Sequence, residues 1–71
     1  MKVSDIYKCG NVWAETKVVI DHNTETVFEG TFYEIPKGLA EREIDFWAIQ
    51  DLKNFGKFSK KIATEIFIAL K

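Results

Sequence analysis

The 71-residue sequence predicts an α+β fold, a short N-terminal helix followed by a four-stranded antiparallel sheet. Three observations carry that expectation. A short amphipathic segment at the N-terminus stops at Gly10-Asn11. Two runs rich in β-branched residues flank the polar stretch His22-Asn23-Thr24-Glu25. A third such run, Ile66-Phe67-Ile68 with Thr64 before it, lies near the C-terminus.

The elements follow in order. In residues 2–9, Ser4 is a candidate helix N-cap with Asp5 in the first turn, and Val3, Ile6 and Tyr7 sit at helical spacing. Two turns of helix are too short to persist without packing. Trp13 to Asp21 reads as a strand around Val18-Val19-Ile20, and Thr26 to Ile35 as its antiparallel return across a four-residue connection. Pro36 ends the second strand because it has no N–H to donate, and Lys37-Gly38-Leu39-Ala40 forms a turn or a single helical turn. Beyond it, Ile44, Trp47, Ala48 and Leu52 fit a helical stripe, whereas Ile44, Phe46 and Ala48 fit strand alternation. Ile62, Ile66 and Leu70 satisfy both periods, and Asn54-Phe55-Gly56-Lys57 reads as the turn between the two segments. A ββαα arrangement and a small SH3-like or OB-like barrel are therefore the alternatives.

Composition bounds the rest. With 46% hydrophobic and 30% charged residues, residues 1–71 make a single globular domain, too small for two. No apolar run approaches the ~20 residues of a membrane span. The lone Cys9 excludes an internal disulfide and fits a reducing cytoplasm. A core this small rarely yields more than ~3–5 kcal/mol unaided. One cysteine and one histidine do not make a structural metal site. Oligomerisation or docking is the support that remains.

The strand reading predicts an apolar surplus. One parity collects Val18, Ile20, Phe28, Phe32, Ile44, Phe46, Ile62, Ile66 and Ile68. The other still holds Trp13, Val19, Val27, Tyr33, Trp47, Ile49 and Phe67. One short helix covers about half of one sheet face, whereas a solvated face would alternate cleanly between apolar and polar. The leftover face should close into a barrel, meet a second copy or meet a target.

Chemistry-bearing constellations are sparse. Asp21-His22-x-x-Glu25 has metal-ligand or acid–base residue types, yet these are also turn formers in a turn position. Cys9 follows a helix instead of opening one, so nothing in sequence activates its thiol. Glu41, Glu43, Asp45 and Asp51 offer a carboxylate pair at 43 and 45 if they share a strand face; a solvated face is the simpler reading. Gly10, Gly30, Gly38 and Gly56 are too dispersed to cradle a phosphate, and Gly30 marks a bulge or a close approach. No catalytic residue, metal or cofactor is assigned, and an enzyme is disfavoured.

Charge is distributed unevenly. Residues 1–52 carry a formal −5 and residues 53–71 carry +4, which sum to the overall −1. The acidic part suits a basic protein groove, including one that normally holds nucleic acid, or the basic part of a second copy. Within the basic part, Lys53, Phe55, Lys57, Phe58, Lys60 and Lys61 interleave lysines for phosphates with aromatics for base stacking. A single arginine argues against duplex readout.

The run Lys17-Val18-Val19-Ile20, then Thr26-Val27-Phe28-Glu29-Gly30, then Glu34-Ile35-Pro36 and Leu39 resembles a known pattern. It is that of small uncharacterised proteins encoded by phages and mobile elements of gut Firmicutes. The resemblance covers roughly residues 1–45 and carries over no catalytic or binding residue. Some small proteins of such neighbourhoods act against host defence, including anti-CRISPR proteins and sponges for signalling nucleotides. At least one gut-bacterial anti-CRISPR type is a small oligomeric sheet protein that acts on DNA.

The expectation is a non-enzymatic binding protein of phage or mobile-element type. It would be homo-oligomeric and would inhibit a bacterial host protein such as a defence component. Trp13, Tyr33 and Trp47 are its candidate contact residues, because tryptophan and tyrosine dominate interface energetics. The alternative is a single-stranded nucleic-acid or nucleotide binder with weak nuclease activity, using the six residues of the lysine–phenylalanine segment. A third reading is an accessory subunit whose apolar face a larger partner covers. None of the three calls for a membrane.

Overall fold

The computed structural model describes residues 1–9, 12–55 and 60–71. A one-turn helix α1 (Val3–Ile6) runs into a 3₁₀ turn (Tyr7–Cys9) and is followed by strand β1 (Val12–His22) and strand β2 (Glu25–Thr31). A second 3₁₀ turn (Phe32–Glu34) and helix α2 (Lys37–Ala40) lead to β3 (Ile44–Phe55) and β4 (Lys60–Leu70). The strand order is β2-β1-β4-β3, and the molecule is elongated, 39 × 21 × 19 Å. Among the described residues no helix is long and apolar enough to cross a membrane.

The expected helix is shorter than two turns, and Ser4 does not cap it. Lys2 stands at the N-cap, where the Asp5 carboxylate accepts the Lys2 backbone N–H at 2.9 Å. That closes the first turn as the acidic residue of a capping box does. The expected stop at Gly10-Asn11 lies outside the described residues.

The β1–β2 hairpin turns on two residues, not four. His22 pairs with Glu25, and Asn23 and Thr24 take φ of +52° and +67°. Two left-handed central residues are the signature of the two-residue turn whose twist matches that of a hairpin. β2 then ends at Thr31, short of Pro36. There the Glu34 carboxylate accepts both the Thr31 hydroxyl (3.0 Å) and the Thr31 N–H (3.3 Å), folding Phe32–Glu34 into the 3₁₀ turn. Pro36 instead occupies the N-cap of α2. Gly30 marks a close approach: an added Cβ would lie 3.0 Å from the Phe28 ring.

Both halves of the ambiguous C-terminal region are strands, so ββαα does not form. β3 runs through Asn54 and Phe55, which were expected to turn; Gly56 and Lys57 lie outside the described residues. The sheet is mixed, not wholly antiparallel. β1 pairs antiparallel with β2, and β3 with β4, but β1 and β4 are parallel in the centre. The two continuous apolar runs, Val18-Val19-Ile20 and Ile66-Phe67-Ile68, thereby lie side by side and away from either edge, as central strands read. The sheet stays open, with β2 and β3 at its edges, so it is not a barrel. A short fifth segment guards the start of the β3 edge through an antiparallel Lys2–Glu43 bridge. Its hydrogen bonds run from Val3 N–H to Arg42 C=O (3.1 Å) and from Ile44 N–H to Met1 C=O (2.9 Å).

The parallel ladder is interrupted between Val12 and Lys17. Thr16, almost fully buried, bridges the gap: its hydroxyl donates to the Ala63 carbonyl at 2.7 Å and accepts the Trp13 N–H at 3.0 Å. A side chain here does what the ladder would otherwise do for two backbone groups.

The core lies on one sheet face. Val18, Ile20, Ile66 and Ile68 are fully buried beneath Val3 and Ile6 of α1, with Ile44 and Leu70 alongside. Phe28, Phe32, Ile35, Leu39 and Trp47 pack around them half-buried. The helical pieces thus all serve one face.

Candidate binding surface

The face opposite the core is built by register. One cross-strand row reads Glu29–Val19–Phe67–Ala48 from β2 to β3. The row on one side is Thr31–Lys17–Glu65–Asp51, and the row on the other is Thr26–Asp21–Ala69–Phe46. Val19, Phe67, Ala48 and Ala69 are only half-buried, and Phe46 is 53% exposed. The Phe46 and Phe67 rings meet at 5.8 Å in a tilted pair that forms the centre of the patch. No described helix packs on this side.

A register shift between Ile44 and Phe46 decides which apolar residues lie here. It swaps β3 against the simple alternation. Trp47 and Ile49 align with Ile68 and Ile66 on the core face, whereas Phe46 and Ala48 align with Ala69 and Phe67 on the open one. Sequence alternation therefore assigned these residues to the wrong sides. Asp45 falls at the shift, but Glu43-Ile44-Asp45-Phe46 reads as regular alternation, so the local sequence does not signal it.

Carboxylates surround the apolar centre. Within these three rows Asp21, Glu29, Asp51 and Glu65 stand with one lysine, Lys17. Lys17 is already bound to Glu29 at 3.1 Å. That hydrogen bond, the Glu29 charge and the Glu65 charge raise the Lys17 pKa above its ordinary value. Asp21 accepts the Thr26 hydroxyl and Asp51 the Thr64 hydroxyl, each at 2.9 Å.

The three sequence-selected contact residues do not converge. Trp13, 43% exposed, lines a shallow cleft with Glu15, Thr16, Ile62, Ala63 and Thr64. Tyr33, 82% exposed, lines a different cleft of about 300 Å³ with Val3, Ser4, Tyr7, Phe32, Ile35 and Ala40. There Tyr7 and Phe32 pack edge to face at 5.5 Å. Trp47 lies in neither cleft and packs against the core.

Of the lysine–phenylalanine segment, Lys57 and Phe58 lie outside the described residues, as do the side chains of Lys53, Phe55, Lys60 and Lys61. Backbone register places Phe55 opposite Lys60, Asn54 opposite Lys61 and Lys53 opposite Ile62, gathering those four residues at one end of the sheet. The remaining constellations are not assembled into sites. His22 and Glu25 close the hairpin turn, and Asp21 is bound to Thr26. Glu43 precedes β3 in the bridge to Lys2, and Asp45 falls at the register shift, so they do not form the expected same-face pair. Among the described residues no three His, Cys, Asp or Glu side chains are grouped to hold a metal. Cys9's side chain lies outside the described residues. Comparison with protein-family models, curated proteins and solved structures found no significant match to this chain.

Proposed function

We propose that this chain is a non-enzymatic binding protein that acts by laying the open face of its sheet on another protein. The observation that carries the reading is the uncovered Val19–Phe67–Ala48–Phe46 patch on a domain whose helices all serve the opposite face. An apolar patch at the centre of a face that no described helix covers is a candidate interaction site. The resemblance to phage and mobile-element proteins makes a bacterial host factor, such as a defence component, the expected target class, and inhibition the expected consequence.

The test is affinity capture from a bacterial lysate, with bound protein, nucleic acid and small molecules all identified. A specific protein captured by the wild type and lost with Phe46→Glu, in a variant of unchanged circular dichroism, supports the reading. Capture that persists in both Phe46→Glu and Ala48→Glu overturns it.

A second reading has its own observation, the collection of Lys53, Phe55, Lys60 and Lys61 at one end of the sheet. A single-stranded nucleic-acid or nucleotide ligand would bind there through phosphates and stacking. Its affinity would fall steeply between ~50 and ~200 mM salt. Absence of binding to any oligonucleotide at ~50 mM salt removes it.

A further inference from the structure

We infer that the occupant of the open face is a protein surface with an apolar centre and a basic rim, and not a second copy of this chain; this rests on the reading of that face as the binding surface. Size supplies the first step. Strands lie ~4.8 Å apart and side chains on one face recur every ~6.8 Å, so three rows across four strands span roughly 14 × 14 Å. That is on the order of 200–400 Å² of surface, well short of the ~800 Å² that each partner contributes to a stable interface. The five apolar residues Val19, Phe46, Ala48, Phe67 and Ala69 are therefore too few to hold a partner alone. The rim must contribute as well.

The rim decides which partner gains from it. Within the three rows, Asp21, Glu29, Asp51 and Glu65 stand around the patch with one lysine, Lys17, which Glu29 already occupies. Packed sheets sit ~10 Å apart, about one Debye length at 0.1 M salt, so charges across such an interface are not fully screened. A second copy stacked face to face about a twofold axis would set these four carboxylates and their one paired lysine opposite the same group, negative excess against negative excess. Such like-charge juxtaposition is the device by which interfaces reject wrong partners. A basic-rimmed partner meets the same four carboxylates as ligands for lysine or arginine while its apolar centre covers Phe46 and Phe67. Surfaces that bind nucleic acid carry that combination of positive charge and local apolarity.

The experiment uses the full chain and defined probes. One is an amphipathic helical peptide of leucine and lysine, with leucine on one face. The second has every lysine replaced by glutamate, and the third is a lysine-only peptide of equal charge. The leucine–lysine peptide should bind at least about tenfold more tightly than either of the others, a difference of ~1.4 kcal/mol. Phe46→Glu should abolish that binding, and Glu65→Lys should shrink the preference over the glutamate peptide several-fold. Sedimentation equilibrium of the chain alone completes the test and should show a monomer. A dimer dissolved by Phe46→Glu overturns the inference while leaving the face as the binding surface. Equal binding of the lysine and glutamate peptides does the same. If the leucine–lysine peptide does not bind, or binds Phe46→Glu as well as wild type, the inference also fails. The lysate capture described above then decides separately whether the face binds protein at all.

Discussion

Thr16→Val isolates the contribution of one buried hydroxyl to a broken ladder. The substitution keeps the shape of the side chain and removes two hydrogen bonds, the 2.7 Å bond to the Ala63 carbonyl and the 3.0 Å bond from the Trp13 N–H. A hydrogen bond is worth ~1 kcal/mol net, and a buried group left without a partner costs ~1–3 kcal/mol. Ala63 is fully buried, so water does not replace its partner, whereas the Trp13 N–H is only partly buried and recovers some solvation. The added methyl offsets a little of the loss by apolar transfer. A net destabilisation of about 2 kcal/mol follows. In a domain of this length the total stability is ~4–11 kcal/mol, at ~0.05–0.15 kcal/mol per residue. The loss should therefore lower Tm by about 8–16 °C, at ~4–8 °C per kcal/mol. Thermal denaturation followed by far-ultraviolet circular dichroism reads the shift directly. Thr16→Ser keeps the hydroxyl and should fall by less than half as much. Thr64→Val, which removes only the exposed bond to Asp51, should fall by less than about 0.5 kcal/mol. A Tm within about 3 °C of wild type for Thr16→Val would refute the claim that this hydroxyl splices β1 to β4.

Thr24→Gly should stabilise the chain by about 1 kcal/mol, since a β-branched residue holds φ = +67° where glycine pays no steric penalty; urea denaturation should show a raised midpoint with an unchanged slope. Ile68→Ala, at a fully buried position, should cost about 2–5 kcal/mol, whereas Tyr33→Ala, at the most exposed aromatic, should stay within about 0.5 kcal/mol. Equal losses for the two would reverse the assignment of the core face. The Lys17–Glu29 pair predicts a pH effect with a definite sign. Because the folded Lys17 pKa is raised, its contribution is complete below the ordinary lysine pKa and disappears as pH climbs through the raised one. Glu29→Gln should return the Lys17 titration, followed by NMR at the side-chain methylene next to the ammonium, to lower pH, with little change in stability because the pair is exposed.

The sequence itself determined the small size of the domain, the β1–β2 hairpin and the surplus of apolar residues over what a short helix can cover. These features depend on composition and on neighbours close in the chain: β-branched runs, a polar turn and a single short amphipathic segment. Gly30, between Phe28 and Phe32, was legible as a bulge or a close approach, and the structure shows the close approach. The remaining features depend on contacts distant in sequence. Ile62, Ile66 and Leu70 satisfy helix and strand periods alike, and it is the ladder to β1 and β3 that makes them strand. The parallel pairing of β1 with β4 is a choice among edges that no local signal encodes. The register shift at Ile44/Phe46 moves Trp47 to the core and Phe46 to the open face, because a one-residue slip reverses the side chains beyond it, here as far as the next shift after Ile49. The sequence therefore showed that a face would be left uncovered. Which residues form it, and that carboxylates border it, followed from the strand pairing and from register shifts at Ile20/Asp21, Ile44/Phe46 and Ile49/Asp51.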